Sequence, residues 1–116
     1  IISMKTIFAQ DLGPHGGRIE KAENYNIEMK TDYTHFYTYL LTKENKSINN
    51  KGITCEIRFF LLNGTSIDIP LKPFEDNAFV IDYFESDYGS YRVTFQVGGK
   101  SVSAKFENES LLVKGE

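Results

Sequence analysis

What most constrains this chain is its periodicity. Past the first ten residues there is no convincing i, i+3, i+4 apolar stripe, and short alternating, β-branched or aromatic runs recur instead. Such runs suit strands with one face buried. They predict strands over Arg18–Ala22, Tyr25–Lys30, His35–Thr42, Ile53–Leu62, Thr65–Leu71, Ala78–Phe84, Ser90–Val97 and Lys100–Phe106. Leu111-Leu112-Val113 is read either as a last strand or as part of a loose tail.

The breaks between these runs have physical causes. Asn63-Gly64 and Gly98-Gly99 each predict a tight hairpin, because both central residues of a type I′ turn need positive φ. Gly64, Gly98 and Gly99 are therefore structural residues. The segment from Asn45 to Gly52 is polar and rich in Asn and Lys, as a loop is. Pro70 and Pro73 bracket a stretch that cannot pair as a central strand.

One constellation selects an architecture. Asp87-Tyr88-Gly89-Ser90-Tyr91 matches the Asp-x-Gly-x-Tyr pattern of the tyrosine corner, with Tyr91 as the corner residue. Val93 stands where antibody domains carry the second disulfide cysteine, so apolar burial alone must join the sheets. The fold expected is all-β, an immunoglobulin-like antiparallel β-sandwich of about seven or eight strands.

Composition bounds the rest. A chain of 116 residues, 41% apolar and 14% aromatic, supplies one core. Residues 11–116 are read as that single domain. Net charge is −3 and the 13 Lys and Arg are dispersed, which disfavours nucleic acid as a partner. After the N-terminus no apolar run approaches the roughly 20 residues of a spanning helix, so no membrane span is expected. Residues 1–10, ending near the small Ala9, read either as the remnant of a signal peptide or as an N-terminal strand. Export is the favoured reading, which makes the protein periplasmic or secreted. Cys55, the one cysteine, alternates with Ile53, Ile57 and Phe59 and is expected in the core.

Catalytic motifs are missing. The sequence holds no Gly-x-Ser-x-Gly elbow, phosphate-binding loop or zinc-protease helix, and His15 and His35 are its only neutral-pH bases, so an enzyme is not expected. The segment Gly13-Pro14-His15-Gly16-Gly17 is more informative. A histidine between proline and two glycines sits on permissive backbone, where its imidazole can reach a borderline ion such as Zn²⁺ or Cu²⁺. His35 and Glu28 are the main candidate partners, with Met29 and Met4 behind them. On position alone, His35 reads as a strand-edge residue and Glu28 as a solvent-facing carboxylate.

Pro14-His15-Gly16-Gly17, then Tyr25-Asn26-Ile27-Glu28-Met29, then Phe36-Tyr37-Thr38-Tyr39-Leu40-Leu41, resembles a small extracytoplasmic β-sandwich. It is similar to the N-terminal domain of some periplasmic adaptor (membrane-fusion) proteins of heavy-metal efflux pumps of the resistance–nodulation–division class. The likeness covers about residues 13 to 107, and the His-Gly-Gly opening is its distinctive part. It implies export to the periplasm, contact with metal ions or efflux components, and His15 and Glu28 as ligands. Nothing after the sandwich matches an adaptor's hairpin, lipoyl-like or barrel domains, so the chain is not expected to be the pump adaptor itself.

Two functions follow as expectations. One is a metal-associated module in which His15, Glu28 and His35 converge. The other is a structural protein–protein interaction domain without a metal site, docking through a sheet edge or through exposed aromatics such as Tyr33, Tyr83 and Tyr88.

Overall fold

The structure is a computed structural model that describes residues 12–108. The readings made above for residues 1–10 and for Leu111-Leu112-Val113 lie outside the described residues.

Nine strands form, with no helix among the described residues: β1 (Arg18–Ala22), β2 (Tyr25–Thr31), β3 (His35–Thr42), β4 (Thr54–Leu61), β5 (Ser66–Pro70), β6 (Lys72–Phe74), β7 (Ala78–Asp82), β8 (Tyr88–Val97) and β9 (Lys100–Glu107). They make two antiparallel sheets, ordered β1-β2-β3-β7-β6 and β5-β4-β8-β9. From β2 onward this is the strand order of an immunoglobulin-like sandwich, with β1 added outside the first strand. All eight expected strands are present. The ninth, β6, is three residues long, contains Pro73 and sits at an edge, the place where a strand lacking an N–H is tolerated.

Alternation drives the packing. In β4, Cys55, Ile57 and Phe59 are buried while Thr54, Glu56 and Arg58 are exposed, and β8 buries Tyr91, Val93 and Phe95 opposite them. Phe36 of β3 reaches Phe59 and Tyr91 across the sandwich, with ring centroids 5.7 and 6.2 Å apart. Tyr91 stacks on Phe106 at 5.5 Å, so the expected corner tyrosine is part of the inter-sheet core near the start of β8. Burial pushes the Cys55 thiol well above its usual range, which makes it an inert core residue.

The two hairpins differ in kind. Gly98 and Gly99 both have positive φ, 55° and 81°, and join Val97 to Lys100 as a type I′ turn requires. At the other hairpin only Gly64 is left-handed (φ 93°), and Asn63 is not. Gly64 N–H donates to Leu61 O at 3.1 Å and Leu61 N–H donates to Thr65 O at 2.8 Å. The loop therefore has three residues, Leu62-Asn63-Gly64, with Gly64 in the bulge position that follows a type I turn. The type I′ expectation fails here because Asn63 uses its side chain instead: its Oδ1 accepts from Thr65 N and Oγ1, at 3.0 and 2.7 Å. Tyr88 also departs from expectation, since it is buried against Phe59 and Tyr91 and is not a surface aromatic.

Phe59 is fully buried and touches Phe36, Phe84, Tyr88 and Tyr91. Phe59→Ala should lower the free energy of unfolding by about 3–5 kcal/mol in urea titrations. A loss below about 1 kcal/mol, the scale of an ordinary surface change, would contradict this account of the core.

Candidate functional site

The site lies on the outer face of the five-stranded sheet. Phe36 and Leu40 of β3 face the inter-sheet core, so Tyr37, Tyr39 and Leu41 point the other way. Glu28 of β2 stands directly opposite Tyr39 and shares that outer face. An outward glutamate is ordinarily solvated, yet Glu28 is 0% exposed. The covering comes from the chain just before β1, where Leu12 bridges to Arg18 and the five residues between fold back over β2 as a tight loop. Gly13 N–H donates to Gly17 O at 2.7 Å and Gly16 N–H to Gly13 O at 3.0 Å.

Glu28 anchors this loop. Its Oε2 accepts the backbone N–H groups of His15 (2.9 Å) and Gly17 (2.8 Å), and its Oε1 lies 2.7 Å from Nδ1 of the His15 ring. Two glycines make this approach possible. A Cβ on Gly13 would lie 2.5 Å from the Glu28 carboxyl carbon, and one on Gly17 would lie 2.3 Å from the Met29 carbonyl oxygen. The Gly-x-x-Gly-Gly pattern is thus a requirement of closeness to β2 as well as of turning.

The imidazole is held on three sides. Its ring stacks on Tyr39 with centroids 3.7 Å apart and planes 6° from parallel. Nδ1 faces the carboxylate, which can only accept there, so Nδ1 carries the proton. Nε2 faces Ser47 Oγ at 3.2 Å and Asn77 Nδ2 at 3.5 Å, two groups able to donate to it. In the neutral ring this places the lone pair on Nε2, at the outer edge of a side chain that is 24% exposed. Tyr39 responds to the same surroundings: burial, then the charge of Glu28 and of Glu75, raises its phenol above the ordinary value.

His15 and Glu28 therefore meet, whereas His35, the third residue of the expected convergence, does not join them. His35 opens β3 four residues before Tyr39, roughly 13 Å along the strand at about 3.3 Å per residue. There its N–H donates to Asp32 Oδ1 at 2.8 Å, its Nδ1 lies 2.9 Å from Thr34 Oγ1, and its Nε2 lies 3.7 Å from Asp82. Among the described residues no group of three or more His, Cys, Asp and Glu could hold a metal ion. Met29 is buried in the core. Sequence reasoning missed Tyr39, Ser47 and Asn77. Of these, Tyr39 alone had a usable signal, since it takes the outward phase of the β3 alternation while the register that sets it opposite Glu28 is tertiary.

Glu28, His15 and Ser47 stand in the order of an acid, a base and a hydroxyl. The loop amides that could stabilise an oxyanion are engaged, His15 N and Gly17 N on Glu28 and Gly16 N on Gly13 O. Two surface clefts, of about 470 Å³ beside Phe36 and Tyr91 and about 500 Å³ beside His35 and Ile81, are lined by other residues. No family model, curated protein or solved structure matches the chain. Among the described residues no helix is long and apolar enough to cross a membrane.

Glu28→Ala leaves two backbone N–H groups of the loop, and the His15 Nδ1–H, without their acceptor and should cost about 2–5 kcal/mol in stability. Glu28→Gln keeps an oxygen for the two backbone donors and should cost about 1–2 kcal/mol. Urea unfolding of both variants would measure the difference, and equal losses would contradict the anchoring role assigned to Glu28.

Proposed function

We propose that this domain is a non-enzymatic, periplasmic β-sandwich module that takes a transition-metal ion, Zn²⁺ or Cu²⁺, at Nε2 of His15, as an accessory to heavy-metal efflux. The observation that carries the proposal is the 2.7 Å contact between His15 Nδ1 and Glu28 Oε1. Metal-binding histidines typically donate their other ring N–H to a carboxylate, which fixes the tautomer and raises the basicity of the ligating nitrogen. Here that carboxylate is buried, the ring is clamped by Tyr39, and Nε2 faces the neutral Ser47 hydroxyl and Asn77 carboxamide, which an incoming ion would displace. Glu28 then acts as the positioning group and not as a ligand, because both of its oxygens already accept hydrogen bonds. Imidazole nitrogen suits Zn²⁺ and Cu²⁺ over Mg²⁺ or Ca²⁺. Periplasmic location and efflux rest on the likeness of the His-Gly-Gly opening.

A second reading, a protein-docking domain, draws support from Tyr33, which is 99% exposed at the tip of the β2–β3 turn. In that reading His15 serves only to close its loop.

Calorimetric titration with Zn²⁺ and Cu²⁺ separates the two. Binding should vanish in His15→Ala, persist in His35→Ala, and weaken by about 10- to 100-fold in a folded Glu28→Gln variant. The last effect has a specific cause: a Gln amide donates to Nδ1, moves the ring proton to Nε2 and occupies the ligand lone pair. Binding indifferent to both histidines would overturn the metal reading and favour docking.

A further inference from the structure

An open sandwich leaves strand edges exposed, and proteins guard them with prolines, charges, short strands or covering segments. Among the described residues the outermost strands are β1 and β6 of one sheet and β5 and β9 of the other. β5 ends on Pro70 and carries Asp68, paired with Arg58 at 2.6 Å, and β6 is three residues long with Pro73 at its centre. β1 is five residues long, bears Arg18, Glu20 and Lys21, and is bridged at its first residue by Leu12. β9 differs from all three. It is eight residues long, holds no proline and pairs with β8 from end to end without a bulge. The Gly98-Gly99 turn makes Val97 and Lys100 a hydrogen-bonded pair, which sets the phase of the whole strand. Lys100, Val102, Ala104 and Phe106 then bond to β8, and the N–H and C=O groups of Ser101, Ser103, Lys105 and Glu107 point to the open side. The Glu107 carbonyl is capped there by the Arg18 guanidinium. The other three positions are left uncovered by their own side chains. Ser101 turns its hydroxyl to the Gln96 side chain on β8, at 2.9 Å, and Lys105 leans across β8 to 6.0 Å from the centre of the Phe60 ring on β4. The lysine at mid edge therefore does not guard it.

We infer that β9 pairs antiparallel with β9 of a second copy of this chain, about a two-fold axis at Ser103, so that two four-stranded sheets join into one. Such pairing is independent of the metal reading, because His15 lies over β2 on the outer face of the other sheet. An antiparallel pair exchanges both hydrogen bonds only between residues of the same phase, and a self-pairing strand supplies matched phase by symmetry. An axis at Ser103 sets Ser103 against Ser103 of the second copy, and Lys105 against Ser101 of the second copy. Each of the three uncovered positions then finds a partner, and the Arg18 cap on Glu107 is kept. Neighbouring registers fail. An axis at Ala104 needs the Glu107 carbonyl that Arg18 holds, and one at Lys105 sets lysine against lysine. An axis at Val102 sets Lys105 against Gly99, which is left-handed (φ 81°) and off the strand. In the Ser103 register the charge of Lys105 meets a neutral serine. On the buried face Val102 falls opposite Ala104 of the second copy, a larger side chain beside a smaller one.

Sedimentation velocity of the protein at concentrations up to roughly 1 mM tests for the dimer. One strand from each copy makes a small interface, so a concentration-dependent monomer–dimer equilibrium is expected and not a permanent dimer. Ser103→Pro removes the axial N–H at an edge position that tolerates proline, and should leave monomer across the same range, with thermal melting showing that the variant folds. Oxidative cross-linking reads the register and does not depend on that variant. Ser103→Cys brings two thiols onto facing residues whose Cα atoms lie about 5.5 Å apart, within the range a disulfide spans, so a covalent dimer should form. Ser101→Cys faces Lys105 of the second copy and should not cross-link, and the buried Cys55 does not compete. A chain monomeric throughout would overturn the pairing. So would a dimer unchanged by a folded Ser103→Pro variant, or Ser101→Cys cross-linking more readily than Ser103→Cys. None of these readouts depends on metal, so the pairing and the metal reading fail separately.

Discussion

A carboxylate buried on the outer face of a sheet is the constraint on which the rest of this site depends. Removing Glu28 from water is unfavourable unless its oxygens find donors, and three N–H groups from one short loop supply them. The loop in turn has no apolar side chain among Gly13–Gly17 except the proline ring, so hydrophobic burial cannot hold it down. Each part makes the other tenable. The loop seals the carboxylate, and the carboxylate sets the path of the loop.

That mutual dependence reaches the imidazole. Because Oε2 is taken by two backbone amides, Oε1 is left for Nδ1, and the ring must lie flat on Tyr39 to reach it. The outer edge of the ring then presents Nε2. A surface histidine is ordinarily free to sample several rotamers and both tautomers. This one is held in a single orientation by groups on β2 and β3 and by the segments carrying Ser47 and Asn77. The sandwich core contributes indirectly, since the β2–β3 register that puts Glu28 opposite Tyr39 is locked by burial of Ile27, Phe36 and Leu40 on the other face. A slip of one residue would turn Glu28 into the core.

Much of the fold was legible because it is written in period two. Cys55, Ile57 and Phe59 alternate with Thr54, Glu56 and Arg58, and Gly98-Gly99 can make only a turn of positive φ. The Asp-x-Gly-x-Tyr pattern pointed to the correct architecture, and β8 begins where that pattern sits. β6 was hidden by its brevity and its proline. The Asn63-Gly64 turn was misread because a side-chain carbonyl that captures Thr65 is indistinguishable, as letters, from an asparagine in the left-handed region. The site was half legible. His15 stood out between flexible residues, but Glu28 looked solvated by alternation, and only the tertiary return of the loop over β2 reverses that. His35 looked equivalent to His15 as a letter and differs wholly in its surroundings.

The central claim is that Glu28 holds the neutral His15 ring in one tautomer, with its proton on Nδ1 and its lone pair on Nε2. Long-range ¹H–¹⁵N correlation NMR of the ¹⁵N-labelled protein, followed upward in pH until the ring nitrogen shifts stop changing, reads the tautomer of the neutral ring directly. The account predicts that one of the two histidines shows a protonated Nδ1 and an unprotonated Nε2, and that this signal is absent from His15→Ala. A His15 signal with the proton on Nε2, or one averaging freely between tautomers, would contradict it.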